Sequence, residues 1–150
     1  MLAVIRPDSW NLPLFLHVLG AIALTGGTGA VAIAGFAGRR SPAHARLLSR
    51  VVLRTWLLVV VPAWVLMRVD ALLILDKEFP GDAKEPGWVG VGFVVSEAGA
   101  VLLLVLGALA WLWARRDGAG RAGGAVPWLA TIYVLALGVA MFAMSGKPGA

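Results

Sequence analysis

The chain has 150 residues, 60% of them apolar and 14% charged, with a formal net charge of +5 and no cysteine. That balance is too apolar for an ordinary soluble domain, and the lack of cysteine excludes disulfides and thiolate metal sites. Four apolar stretches, about 12–37, 56–75, 88–113 and 126–144, each of 19 residues or more, can cross a hydrocarbon core of roughly 30 Å at about 1.5 Å per residue. They fill nearly the whole chain, so the expected fold is all-α: one integral membrane domain, a four-helix transmembrane bundle resting in the lipid bilayer.

Span one contains LTGGTGAVAIAG (24–35), which looks at first like a glycine-rich dinucleotide cradle. A nucleotide site is excluded by its surroundings. No strand precedes it, the helix after it is apolar all round, and about 20 residues on lies a basic stretch with no acid to hold a ribose. The small residues instead predict helix packing. Gly26, Ala30 and Ala34 form one small-xxx-small series and Ala23 and Gly27 another, for contact first within the bundle and second between chains of a homo-oligomer. His17 continues through Gly20, Ala21, Thr28 and Gly35 on a further small-residue face. The span ends in Arg39-Arg40, a stop-transfer flank, so it is read as retained and not as a cleaved signal.

The stretch GRRSPAHARLLSRVVLR that follows is expected to be a loop; it carries five arginines and no acid. Span two holds Pro62, which should kink the helix by removing one of its bonds and crowding the carbonyl four residues earlier, and which is a candidate hinge. It also holds Arg68 and Asp70. After it, DKEFPGDAKEPG is the acidic connection. Span three carries Glu97 and leads to Arg115, Arg116 and Arg121 against Asp117; span four ends near Met141 and Met144. By the positive-inside rule both arginine-rich connections are cytoplasmic, leaving both termini and the acidic connection outside. The net charge is then a signal of topology and not a nucleic-acid footprint, and some of these arginines suit anionic lipid headgroups. Trp10, Trp88, Trp111, Trp113 and Trp128 fall at interface levels, with Trp56 near the inner end of span two, while Trp64 lies mid-span and should fill the bundle.

Ionisable groups inside a bilayer cost a few kcal/mol or more each, so they mark where function is sought. His17, Arg68, Asp70 and Glu97 all fall roughly 8–14 Å below the outer interface by residue count, on three different spans. They are expected to form a common polar cluster, with Arg68 paired to Glu97. Arg68 and Asp70 stand about 200° apart around their helix and cannot face the same neighbour. His17 is open to three readings: a neutral imidazole bonded to Glu97, Asp70 or a helix carbonyl; a titrating proton relay; or a ligand to metal or haem. With Met67, Met141 and Met144 toward the same half it would suit Cu(I), although methionine also fills irregular gaps. Haem would need a second axial ligand from a methionine or another chain, since His44 belongs to the opposite end. Ser96 has no base beside it, and no metalloprotease, paired-carboxylate or phosphate-loop motif is present. The expected function is therefore non-enzymatic: an assembly or accessory subunit, with ion handling of a proton or copper, or a haem redox subunit, as alternatives.

Setting HVLGAIAL over SEAGAVLL superposes Gly20 on Gly99 and suggests two parallel helical hairpins, a 2+2 repeat. At LFLHVLGA, PAWVLMRV and the closing SGKP the chain resembles a bacterial family of small four-span integral-membrane proteins of unknown function. That resemblance implies the architecture and a place in the bacterial cytoplasmic membrane, and no activity. The first helix, through HVLGA and the nearby glycines, also looks loosely like the histidine-bearing helix of copper-resistance D-type membrane proteins, which implies a copper role for His17 alone.

Overall fold

The computed structural model describes residues 11–78 and 87–146. Trp10, the acidic residues Asp82 and Glu85, and the last two residues of the closing SGKP lie outside them. The described residues form α1 (Asn11–Arg40), a short 3-10 turn (Pro42–His44), α2 (Ala45–Thr55), a π turn (Trp56–Val60), α3 (Val61–Glu78), α4 (Gly87–Arg115) and α5 (Ala122–Gly146). Among them there is no strand. Four helical stretches are long and apolar enough to span a membrane: α1, the continuous run Pro42–Lys77, α4 and α5.

The run Pro42–Lys77 overturns one expectation. Most of the basic stretch 38–54, expected as a loop, is helix. Ala45, Ser49 and Val52 recur at helical spacing and are buried, while Arg46, Arg50 and Arg54 stand one turn apart on the exposed side. This is an amphipathic helix whose polar face is all arginine. Pro62 does not break the run. Just before it the helix widens into the π turn, where the Val61 N–H bonds to the Trp56 carbonyl five residues back. The wider turn absorbs the missing donor and the crowded ring of proline.

Around the bundle the order is α3, α1, α5, α4, and α2 packs on both α1 and α4 at the arginine-rich end. Glycine sets the close approaches. A Cβ on Gly20 would lie 2.9 Å from the backbone nitrogen of Met67, and one on Gly35 would lie 3.0 Å from the Pro127 ring. Gly27 receives Val59 and Val60 in the same way. Gly26 does not join them: a Cβ there would meet nothing within 4 Å, and Ala30 is exposed. Of the small residues expected to pack inside the bundle, Gly20 and Gly27 do so, Ala34 is half-buried against the core, and Gly26 and Ala30 look outward. Adjacent residues are 100° apart on a helix, so Gly26 and Gly27 cannot share a neighbour.

Candidate functional site

The helices α3 and α4 are joined by long side chains instead of close backbone contact. The Trp56 indole donates to the Leu103 carbonyl at 3.1 Å, and the Trp64 indole to the Ser96 carbonyl at 3.3 Å. These rungs are two turns apart on each of two antiparallel helices. One turn further on α3, the Arg68 guanidinium forms an ion pair with Glu97 and lies over the Phe93 ring, 4.7 Å from its centroid. Phe93 and Glu97 are four residues apart on α4 and so share a face, which holds the cation between a ring and a carboxylate. The two partners differ in cover: the Arg68 side chain is 20% exposed and that of Glu97 61%.

His17 stands on the other side of α3. Its Nδ1 lies 3.2 Å from the Met67 carbonyl, a contact that the close approach at Gly20 permits. Since a carbonyl oxygen can only accept, Nδ1 carries a proton in that geometry and donates it to the bond. A cavity of about 130 Å3 lies beside it, lined by His17, Leu14, Ile74, Trp88, Phe93 and Met144 among others. Of the three methionines, Met144 therefore shares a space with His17, Met67 offers its backbone, and Met141 is 41% exposed on the outside of α5. One imidazole and one methionine line the same cavity, and no group of three histidine or carboxylate ligands exists among the described residues.

Asp70 is 4% exposed. Two residues from Arg68 it points away from the ion pair, and its Oδ2 has no hydrogen-bond partner among the described residues. Arg68 Nη1, Ser96 Oγ and the Tyr133 hydroxyl are buried and unpartnered as well. The four ionisable residues thus occupy three environments: a laterally open ion pair of Arg68 and Glu97, an imidazole on a helix carbonyl, and a buried carboxylate whose Oδ2 is unpartnered among the described residues.

The arginine-rich end is built around Trp113, which is 2% exposed. The Gly118 N–H bonds to the Trp113 carbonyl and the Asp117 N–H to that of Ala114, closing α4 in a Schellman motif with Asp117 in the left-handed region at φ 49°. The Trp113 indole donates to the Gly118 carbonyl at 2.7 Å. Asp117 Oδ1 then receives both Arg46 and Arg50 of α2, each at 3.1 Å.

Sequence patterns did not single out the indole rungs, Phe93, Tyr133 or the Asp117 clasp. Trp64, mid-span among aliphatic neighbours, was the one visible sign of the rungs. Four apolar spanning helices around a tight interior define a small, multi-pass integral membrane protein. Compared with protein-family models, with curated proteins and with solved structures, the chain finds no match.

Proposed function

We propose that the chain is a non-enzymatic membrane subunit that binds a transmembrane segment of a different protein along its α3–α4 face. The observation that carries this reading is the exposure of Glu97. It lies ten residues into α4, about 15 Å along the helix, where hydrocarbon is the alternative to protein, and a charge left against lipid there costs several kcal/mol. Its partner Arg68 covers one side only. The run containing α3 is also the least covered of the four: 17% of its apolar window is buried, against 39%, 33% and 33% in the others. A second copy of this chain would bring no donor to Glu97 from its α1 or α5 face, where Leu19, Ile22, Leu135 and Val139 are exposed at that level, and the Arg68 on its α3–α4 face is already engaged by its own Glu97. The partner segment is therefore one that carries its own hydrogen-bond donor.

Extraction in a mild detergent from the native membrane tests this, with the complex weighed by native mass spectrometry. The wild-type chain is expected to emerge with a second polypeptide, and Glu97→Gln to emerge without it while remaining folded. Recovery of the wild type alone, or as copies of itself only, removes the proposal.

Asp70 supports a second reading, in which the protein handles protons. A buried carboxylate oxygen with no hydrogen-bond partner among the described residues is a costly group to keep inside a membrane, and such groups mark proton and ion pathways. Copper is less well served, since only Met144 joins His17. In liposomes loaded with a pH-sensitive dye, the wild type is expected to dissipate an imposed proton gradient and Asp70→Asn to leave it intact. If the wild-type vesicles are as tight as empty ones, this second reading fails.

A further inference from the structure

We infer that the arginine-rich end carries a binding site for a phosphate-bearing anion, in the form of a lipid headgroup or free phosphate. A cleft of about 440 Å3 opens there between the end of α1, the start of α2 and the turn joining α4 to α5. Trp113 forms its apolar floor, small residues including Gly38, Gly120 and Gly124 form its walls, and Arg39 and Arg121 stand on it. The volume lies in the range of small-molecule sites.

Charge decides what the cleft takes. Asp117 is its only acid among the described lining residues, and that carboxylate already holds Arg46 and Arg50 on one oxygen. The cleft and these two neighbours count four guanidinium groups against one carboxylate, a net of three positive charges. Arg39 and Arg121 are left without an acidic partner among the described residues, and both are exposed. Guanidinium is the side chain best matched to phosphate oxygens, which it grips in a bidentate fork. Basic pockets between transmembrane helices at an interface are where anionic headgroups bind. The Trp113 indole N–H is committed to the Gly118 carbonyl, so the floor offers the ligand an apolar face and no donor. Recognition rests on the two free arginines at the rim. The site is independent of the α3–α4 face and survives the failure of that proposal.

The experiment is a titration of the purified protein in neutral detergent, read by Trp fluorescence and native mass spectrometry, with phosphatidylglycerol, phosphatidylcholine and inorganic phosphate. Phosphatidylglycerol is expected to bind, and the double variant Arg39→Gln/Arg121→Gln to weaken it about 30-fold. Removing two charges outside the cleft, in Arg40→Gln/Arg115→Gln, should change it less than about threefold. Gly124→Leu keeps every charge and adds bulk at a lining residue that has room for it, a Cβ there meeting nothing within 4 Å; it should weaken binding as strongly as the arginine pair. Competition by inorganic phosphate assigns the site to the phosphate group from either source, and binding of the lipid without such competition assigns it to the headgroup. Binding of phosphate with no lipid makes the source a soluble anion. Equal losses in the two double variants, or full binding by Gly124→Leu, would show general surface electrostatics and overturn the inference.

Discussion

Gly20→Leu should unfold the bundle more readily by about 3 kcal/mol or more, measured as loss of helicity on titration with denaturing detergent. The position faces backbone, with Met67 N at 2.9 Å and Met67 Cα at 3.1 Å from where a Cβ would stand. Backbone cannot swing aside as a side-chain tip can, so α1 and α3 must separate and the His17 contact with the Met67 carbonyl goes with them. Gly26→Ala, six residues on, is expected to have the opposite sign. It adds a methyl where there is open space and removes a poor helix former, a gain of up to about 1 kcal/mol. Equal effects at the two positions would contradict the assignment of one to the interior and the other to the outside.

A second pair of substitutions separates two adjacent residues in the turn after α4. Gly118→Ala is expected to cost about 3 kcal/mol, because Gly118 has φ 86° and a Cβ there would strike the Ala45 carbonyl group, again backbone. The left-handed conformation alone costs an L-residue about 1–2 kcal/mol. Asp117→Gly should be neutral or stabilising by up to about 1 kcal/mol. It releases a side chain from the left-handed region, and the ion pairs it loses are more than half exposed on every partner, where such pairs contribute little. Thermal unfolding in one detergent distinguishes these outcomes, and a large loss from Asp117→Gly would make the clasp with α2 a structural requirement.

How much of this was legible in the sequence depends on what kind of partner each residue has. The spans were plain, because twenty apolar residues have few other uses. So was the pairing of Arg68 with Glu97: opposite charges at one depth on two helices leave each other as the obvious partner. The His17 contact was less plain, since its partner is a main-chain carbonyl and carbonyls have no sequence signature. The lack of a partner for Asp70 Oδ2 among the described residues was hidden for a similar reason, as nothing in a list of residues tells a paired carboxylate oxygen from an unpaired one. The helical nature of 45–55 was masked by arginine, whose spacing is helical but whose density resembles a loop. The outward turn of Gly26 was undecidable from pattern, because two small-residue series ran side by side and only the neighbours select between them.

The indole rungs between α3 and α4 have a mechanical consequence. Three of the junctions around the bundle are tight, with glycine or small residues admitting the neighbouring helix. The fourth is bridged by side chains: the Trp56 and Trp64 indoles on main-chain carbonyls, and the Arg68 guanidinium between Glu97 and Phe93. Near the arginine-rich end that gap is held shut by α2, which packs directly on α4. The bundle is therefore closed at the arginine-rich end and least tightly packed along the α3–α4 edge, toward Arg68 and Glu97. On the proposed reading, a partner helix would enter along this edge, where side chains and not backbones join the two helices.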